Sequence, residues 1–105
     1  MIAQVVTEKL AEIRAACEKH RVRNLWLFGS ATTDEFDPAR SDLDFLVEFE
    51  AGVKRGFDGD YFGLLGALER LFTGRRVELV EVGASENPYF LAEVEKQKRP
   101  LYAAA

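Results

Sequence analysis

One cysteine, one histidine and three prolines are all that 105 residues carry of these types. A lone cysteine excludes an internal disulfide and any cysteine-rich zinc site. Cys17 falls on the apolar side of a predicted helix and reads as a buried structural thiol. His20 stands at the predicted end of that helix beside Lys19 and Arg21, where a cation favours the helix dipole, so an end-of-helix role is preferred to catalysis. No stretch reaches the roughly 20 apolar residues of a membrane span. The opening "MIAQVVTEKLAEIRAA" lacks the basic start and long apolar run of a signal peptide, so the chain reads as cytoplasmic. Positive charge is also in short supply: 14 Lys and Arg face 18 Asp and Glu, a formal net charge of −4. Binding to a phosphate backbone is driven by Lys and Arg, so nucleic acid is not the expected partner. Internal repeats and low-complexity tracts are absent.

What is present is an ordinary globular composition, 48% hydrophobic and 30% charged, and a length that suits one domain over residues 1–105. Ile2, Val5, Val6, Leu10, Ile13 and Cys17 recur at helical spacing and predict an amphipathic helix over residues 2–20. "NLWLFG" is apolar without alternation and suits a strand covered on both faces. "SDLDFLVEFE" alternates, with Asp42, Asp44, Leu46 and Glu48 on one face and Leu43, Phe45, Val47 and Phe49 on the core face. "AGVKRGFDGD" reads as an exposed loop, and Asp60 as the cap of a helix with the stripe Phe62, Leu65, Leu68 and Phe72, ending at Gly74. Asp58 and Asp60 mimic a metal loop but are explained by turn and cap. "RRVELVEV" predicts a third strand with Val77 and Leu79 buried and Val80 and Val82 as further candidates. Ser85 or Asn87 then caps a helix whose first position is Pro88, and "LYAAA" is left as a short apolar tail. The expected fold is α/β: a small mixed sheet flanked by helices.

Folding alone gives no reason to open a strand with two aspartates one residue apart beside a core. Side chains at i and i+2 share a strand face, with Cα atoms roughly 7 Å apart, and their oxygens can converge on one ion. Phosphoryl and nucleotidyl transfer needs this: positioning, and metal ions that neutralise charge on the phosphates. Magnesium takes hard oxygen ligands and keeps some waters, so few carboxylates suffice. Glu78 is the candidate for a third, since it lies between Val77 and Leu79 and points to the opposite face from theirs. Gly29-Ser30, directly after the first strand, adds a turn whose backbone can approach a phosphate closely and a hydroxyl that can donate to it. Gly-Ser alone and Asp-x-Asp alone are weak signals; joined in order, each after or within a strand, they are strong.

"FGSATTDEFDPARSDLDFLVEF" resembles the Gly-Ser…Asp-x-Asp signature of the minimal nucleotidyltransferases, small members of the DNA polymerase beta superfamily. "ALERLFTGRRVELVEV" is similar to the helix-Gly-strand segment that delivers that family's third carboxylate, and "NPYFLAEVEKQKRPLYAA" to its closing helix and tail. The resemblance implies the nucleotidyltransferase fold, a triphosphate held by Gly29 and Ser30, and Mg2+, two ions, bound by the catalytic Asp42, Asp44 and Glu78. It also implies ATP as substrate and, as acceptor, a hydroxyl of a protein partner: a HEPN toxin that the chain silences as its antitoxin by adding AMP. Two departures stand out. Glu78 replaces the usual Asp, and "ATTDEFDPAR" lacks a glycine common after the Gly-Ser. The longer arm of Glu78 keeps open an alternative, a non-catalytic binding module of the same fold that inhibits its partner by complex formation. Arg40 is open between pairing with Asp37 and touching substrate, and the pair Arg75-Arg76 between a charged turn before a strand and contact with a phosphate. Trp26, Tyr61, Phe62 and Tyr89 are candidates for a partner surface.

Overall fold

The computed structural model describes residues 1–53 and 59–105. Among these, strands β1 (Val22–Phe28), β2 (Leu43–Phe49), β3 (Val77–Glu81) and β4 (Arg99–Ala103) form one sheet in the order β3-β2-β1-β4. β1 is antiparallel to both of its neighbours, whereas β2 and β3 are parallel. Parallel neighbours need a long crossover, and here it contains helix α3 (Gly59–Leu71). Helices α1 (Gln4–Thr7) and α2 (Leu10–Lys19) precede the sheet, and α4 (Pro88–Gln97) lies between β3 and β4. The mixed sheet with helices is the architecture that the sequence predicts.

The alternation of β2 divides the molecule. Leu43, Phe45 and Val47 are fully buried with Leu25 and Leu27 of β1, Ile13 and Cys17 of α2, and Leu64 and Leu68 of α3. Burial, and then the charge of Glu18, pushes the Cys17 thiol up to about 12, which leaves it an inert core group. On the other face, Phe28 and Leu46 pack against Val94 of α4, with Trp26, Val80 and Phe90 around them. β1 is therefore covered on both faces, as its unbroken apolar run predicts. Asn87 caps α4 by accepting from the Tyr89 and Phe90 amides, and Pro88 takes the first position, where its missing N–H leaves nothing unsatisfied.

Five expectations are corrected. The first helix is two, because the chain leaves helical geometry at Lys9 (φ −115°, ψ 14°). Val6, Ile13 and Cys17 still share the core, so apolar spacing alone could not reveal the break. The tail is a fourth strand: Leu101 is buried, and Pro100 is tolerated because β4 is an edge strand. The stripe of α3 is Leu64, Leu68 and Phe72 rather than one through Phe62, which is 61% exposed; Tyr61 turns inward instead and donates its hydroxyl to the Leu79 carbonyl. Val82, just past β3, is exposed. Asp60 lies inside the first turn of α3, where its carboxylate accepts from Arg21 Nε at 2.8 Å and sits 3.6 Å from His20 Nδ1. His20 packs over Gly63, where any Cβ would strike its ring. Asp58 and the centre of the loop before α3 lie outside the described residues.

Candidate active site

The pairing of β2 with β3 places the carboxylates. In that parallel ladder Leu43 pairs with Val77, Asp44 with Glu78 and Leu46 with Val80. Since successive side chains alternate, the face away from the main core carries Asp44 beside Glu78, and one step further Leu46 beside Val80. On the other side of β2, Phe28 pairs with Asp44. The chain leaves β1 at that point, so Gly29 and Ser30 begin where Asp44 stands. The sheet thus gathers Gly29, Ser30, Asp44 and Glu78 from three strand ends, with Asp42 immediately before β2.

Gly29 opens a short 3-10 turn (Gly29–Thr32) at φ +75°, the left-handed region that favours glycine. A second reason for glycine is contact: a Cβ there would fall 2.3 Å from Asp44 Oδ2. The turn is tied on several sides. Thr32 Oγ1 donates to the Gly29 carbonyl at 2.8 Å, Thr33 Oγ1 to the Ser30 carbonyl at 2.9 Å, and the Ala3 amide to the Ala31 carbonyl at 2.9 Å. The Gly29 amide donates to Gln97 Oε1, at the end of α4, at 3.0 Å.

Asp44 is half-buried, and its carboxyl is pushed up from 3.8 to about 6. Burial is the main cause, followed by a hydrogen bond with Glu78 and the negative charges of Glu78 and Asp42; Arg76 opposes them. Arg76 reaches Glu78 Oε1 at 3.3 Å, with both side chains well exposed. Crowded carboxylates that disfavour one another's charge are a donor set suited to a hard cation. As the side chains lie, no three His, Cys, Asp or Glu side chains among the described residues are grouped to hold one ion. Gathering Asp42, Asp44 and Glu78 on an ion therefore requires side-chain rotation, and the Glu78–Arg76 pair is the exposed contact that would yield.

Arg75 is settled by the structure as a brace. Its guanidinium donates to the Ser41 carbonyl at 2.8 Å and to the Pro38 carbonyl, and lies 5.2 Å from the Phe36 ring centroid. It thereby fixes the loop that joins the Gly-Ser turn to Asp42. Arg40 meets Asp37 through the backbone, its amide donating to the Asp37 carbonyl at 3.1 Å. Trp26 lines the second core, with the Lys98 ammonium 4.7 Å from its ring centroid. Phe62 and Tyr89 are exposed, whereas Tyr61 is partly buried. Gln97 carries no sequence signal: it is one polar residue among several on α4, and only the fold brings it to Gly29.

Comparison with known proteins agrees with this fold. The family model for the nucleotidyltransferase domain matches residues 10–101. A curated relative from Methanocaldococcus jannaschii, "Putative protein adenylyltransferase MJ0128", is 37% identical over 82 residues, covering 75% of this chain and 76% of that protein. The solved "Structure of putative minimal nucleotidyltransferase" superposes with a TM-score of 0.72 at 30% identity, covering 95% of this chain and 96% of the other. A toxin-antitoxin crystal structure with AMP-PNP shares the fold, with a TM-score of 0.68 at 18% identity over 90% of this chain and 73% of its own. With Gly-Ser at the end of β1, Asp-x-Asp entering β2 and a carboxylate in register on β3, the chain belongs to the nucleotidyltransferase domain family, among its minimal members.

Proposed function

We propose that this nucleotidyltransferase transfers AMP from ATP to a hydroxyl of a protein partner, the acceptor oxygen bonding to the α-phosphorus as the bond to pyrophosphate breaks and pyrophosphate leaves, and that the partner is a HEPN toxin which the transfer silences. The observation that carries the reading is the register of Asp44 with Glu78, set against a Gly29 that leaves no room for a side chain. Gly29 and Ser30 receive the triphosphate, and Asp42, Asp44 and Glu78 hold Mg2+. Bound there, the cation would neutralise phosphate charge and activate the acceptor oxygen. The chain's own contribution is placement: β2 and β3 fix the carboxylates, and the tied Gly29–Thr32 turn holds the phosphates beside them. The protein acceptor is supported by the name of the Methanocaldococcus jannaschii relative, and the toxin partner by the resemblance to minimal nucleotidyltransferases.

A second reading keeps the fold and drops the chemistry, with inhibition by complex formation. It is favoured by one feature: Glu78 is turned to Arg76, and no three carboxylates are grouped among the described residues. Intact mass spectrometry of the protein encoded next door, after incubation with this chain, ATP and magnesium, separates the two. We expect a gain of one or more AMP units that is absent with the Asp42→Asn, Asp44→Asn double variant. No gain, with both versions still binding the partner, would establish the binding module.

A further inference from the structure

The Gly29 amide is already engaged. It donates to Gln97 Oε1 at 3.0 Å, across 68 positions of sequence, while the Gly29 carbonyl accepts from Thr32 Oγ1. A backbone N–H can only donate, so the Gln97 atom that faces it must be the oxygen, and the carboxamide orientation is fixed. Gly29 is therefore held on both sides, by the 3-10 turn through its carbonyl and by α4 through its amide. Gly29 takes φ +75° and its Cα sits close against the Asp44 carboxylate, with Asp44 Oδ2 where a Cβ would be, so a shift of the Gly29 backbone is a shift beside that carboxylate.

We propose that Gln97 is a positioning residue for nucleotide binding, holding the Gly29 backbone through its amide in the orientation that presents the Ser30 turn to the phosphates beside Asp44. The inference rests on the reading of Gly29-Ser30 as the triphosphate turn and deepens it. It assigns the Gly29 amide to α4 rather than to the ligand, and leaves phosphate contact to Ser30. Preorganisation of this kind acts on affinity: a turn that must be ordered by the nucleotide binds it more weakly than one already ordered.

The test compares wild type with Gln97→Met, which keeps the length and loses the acceptor, and with Gln97→Glu, which keeps an acceptor oxygen. NMR hydrogen exchange should show a protected Gly29 amide in wild type, with and without magnesium-ATP, lost in Gln97→Met and regained in Gln97→Glu. Gln97→Met should raise KM for ATP about tenfold while leaving kcat and KM for the protein acceptor near wild type. Unchanged ATP binding in Gln97→Met, or a Gly29 amide released from Gln97 when ATP binds, would overturn the inference alone. A wild-type protein that binds no nucleoside triphosphate would overturn it together with the proposed function. Parallel losses in kcat, both KM values and thermal stability would overturn it in favour of simple support for α4.

Discussion

Asp44 is the residue at which folding and chemistry oppose each other. Its carboxyl, pushed up to about 6 by burial and by Glu78 and Asp42, binds its proton more tightly in the folded chain than in the unfolded one. The stability it contributes is therefore fully present below the ordinary carboxylate value near 3.8 and lost as pH rises through about 6. In metal-free protein the Asp44→Asn variant should remove this dependence. At pH 7 it should gain on the order of 1 kcal/mol over wild type, a figure reduced from the full shift because the side chain is only half-buried. Urea titrations at pH 4 and pH 7 with a chelator present measure it; an Asn variant no more stable than wild type at pH 7 would deny that burial and its acidic neighbours raise the Asp44 carboxyl. Transfer should be lost in the same variant.

The loop from Thr33 to Ser41 shows how an element without regular structure positions a site. Arg75 bridges the Ser41 and Pro38 carbonyls over the Phe36 ring, so the entry to Asp42 is anchored from the turn just before β3. An Arg75→Met variant keeps much of the apolar packing but removes both donors. We expect about a tenfold fall in kcat/KM with a melting temperature lowered by only a few degrees, since a loop brace orders the site more than the core. Transfer assays and thermal melts on the one variant check this; unchanged kcat/KM would make the brace incidental. These contacts also mark where sequence reading stops. The shared face of Asp44 and Glu78 is legible because two-residue alternation fixes which face a strand residue takes, and the ladder pairs the two; Gly29 and Ser30 follow β1 and Asp42 precedes β2, where only their place in the chain order could be read. Arg75 and Gln97 act through the backbone of distant residues, and backbone carbonyls and amides leave no trace in composition or spacing. β4 was hidden for another reason: a proline inside a five-residue segment argues against a strand unless its edge position is known. The break at Lys9 was hidden because both short helices keep the same apolar phase.

At the scale of the molecule, β4 is what closes the sheet beside β1. Leu101 is 3% exposed, and the strand's loss would uncover β1 along its length. Leu101→Ala should cost about 2–5 kcal/mol in a urea unfolding curve, and a chain ending at Lys98 should not unfold cooperatively. A truncated chain with the wild-type midpoint would show that the last strand adds nothing. The two ends of the chain are stitched to opposite ends of β1. The Ala104 amide donates to Arg23, at the beginning of that strand, and the Ala3 amide donates to Ala31, in the turn that follows it. Anything joined ahead of Met1 therefore emerges next to the Gly29–Thr32 turn, whereas anything joined after Ala105 leaves from the opposite end of β1. A purification tag or fluorescent reporter fused at the front would crowd the turn proposed to receive the nucleotide; the same cargo fused at the back would leave that turn open.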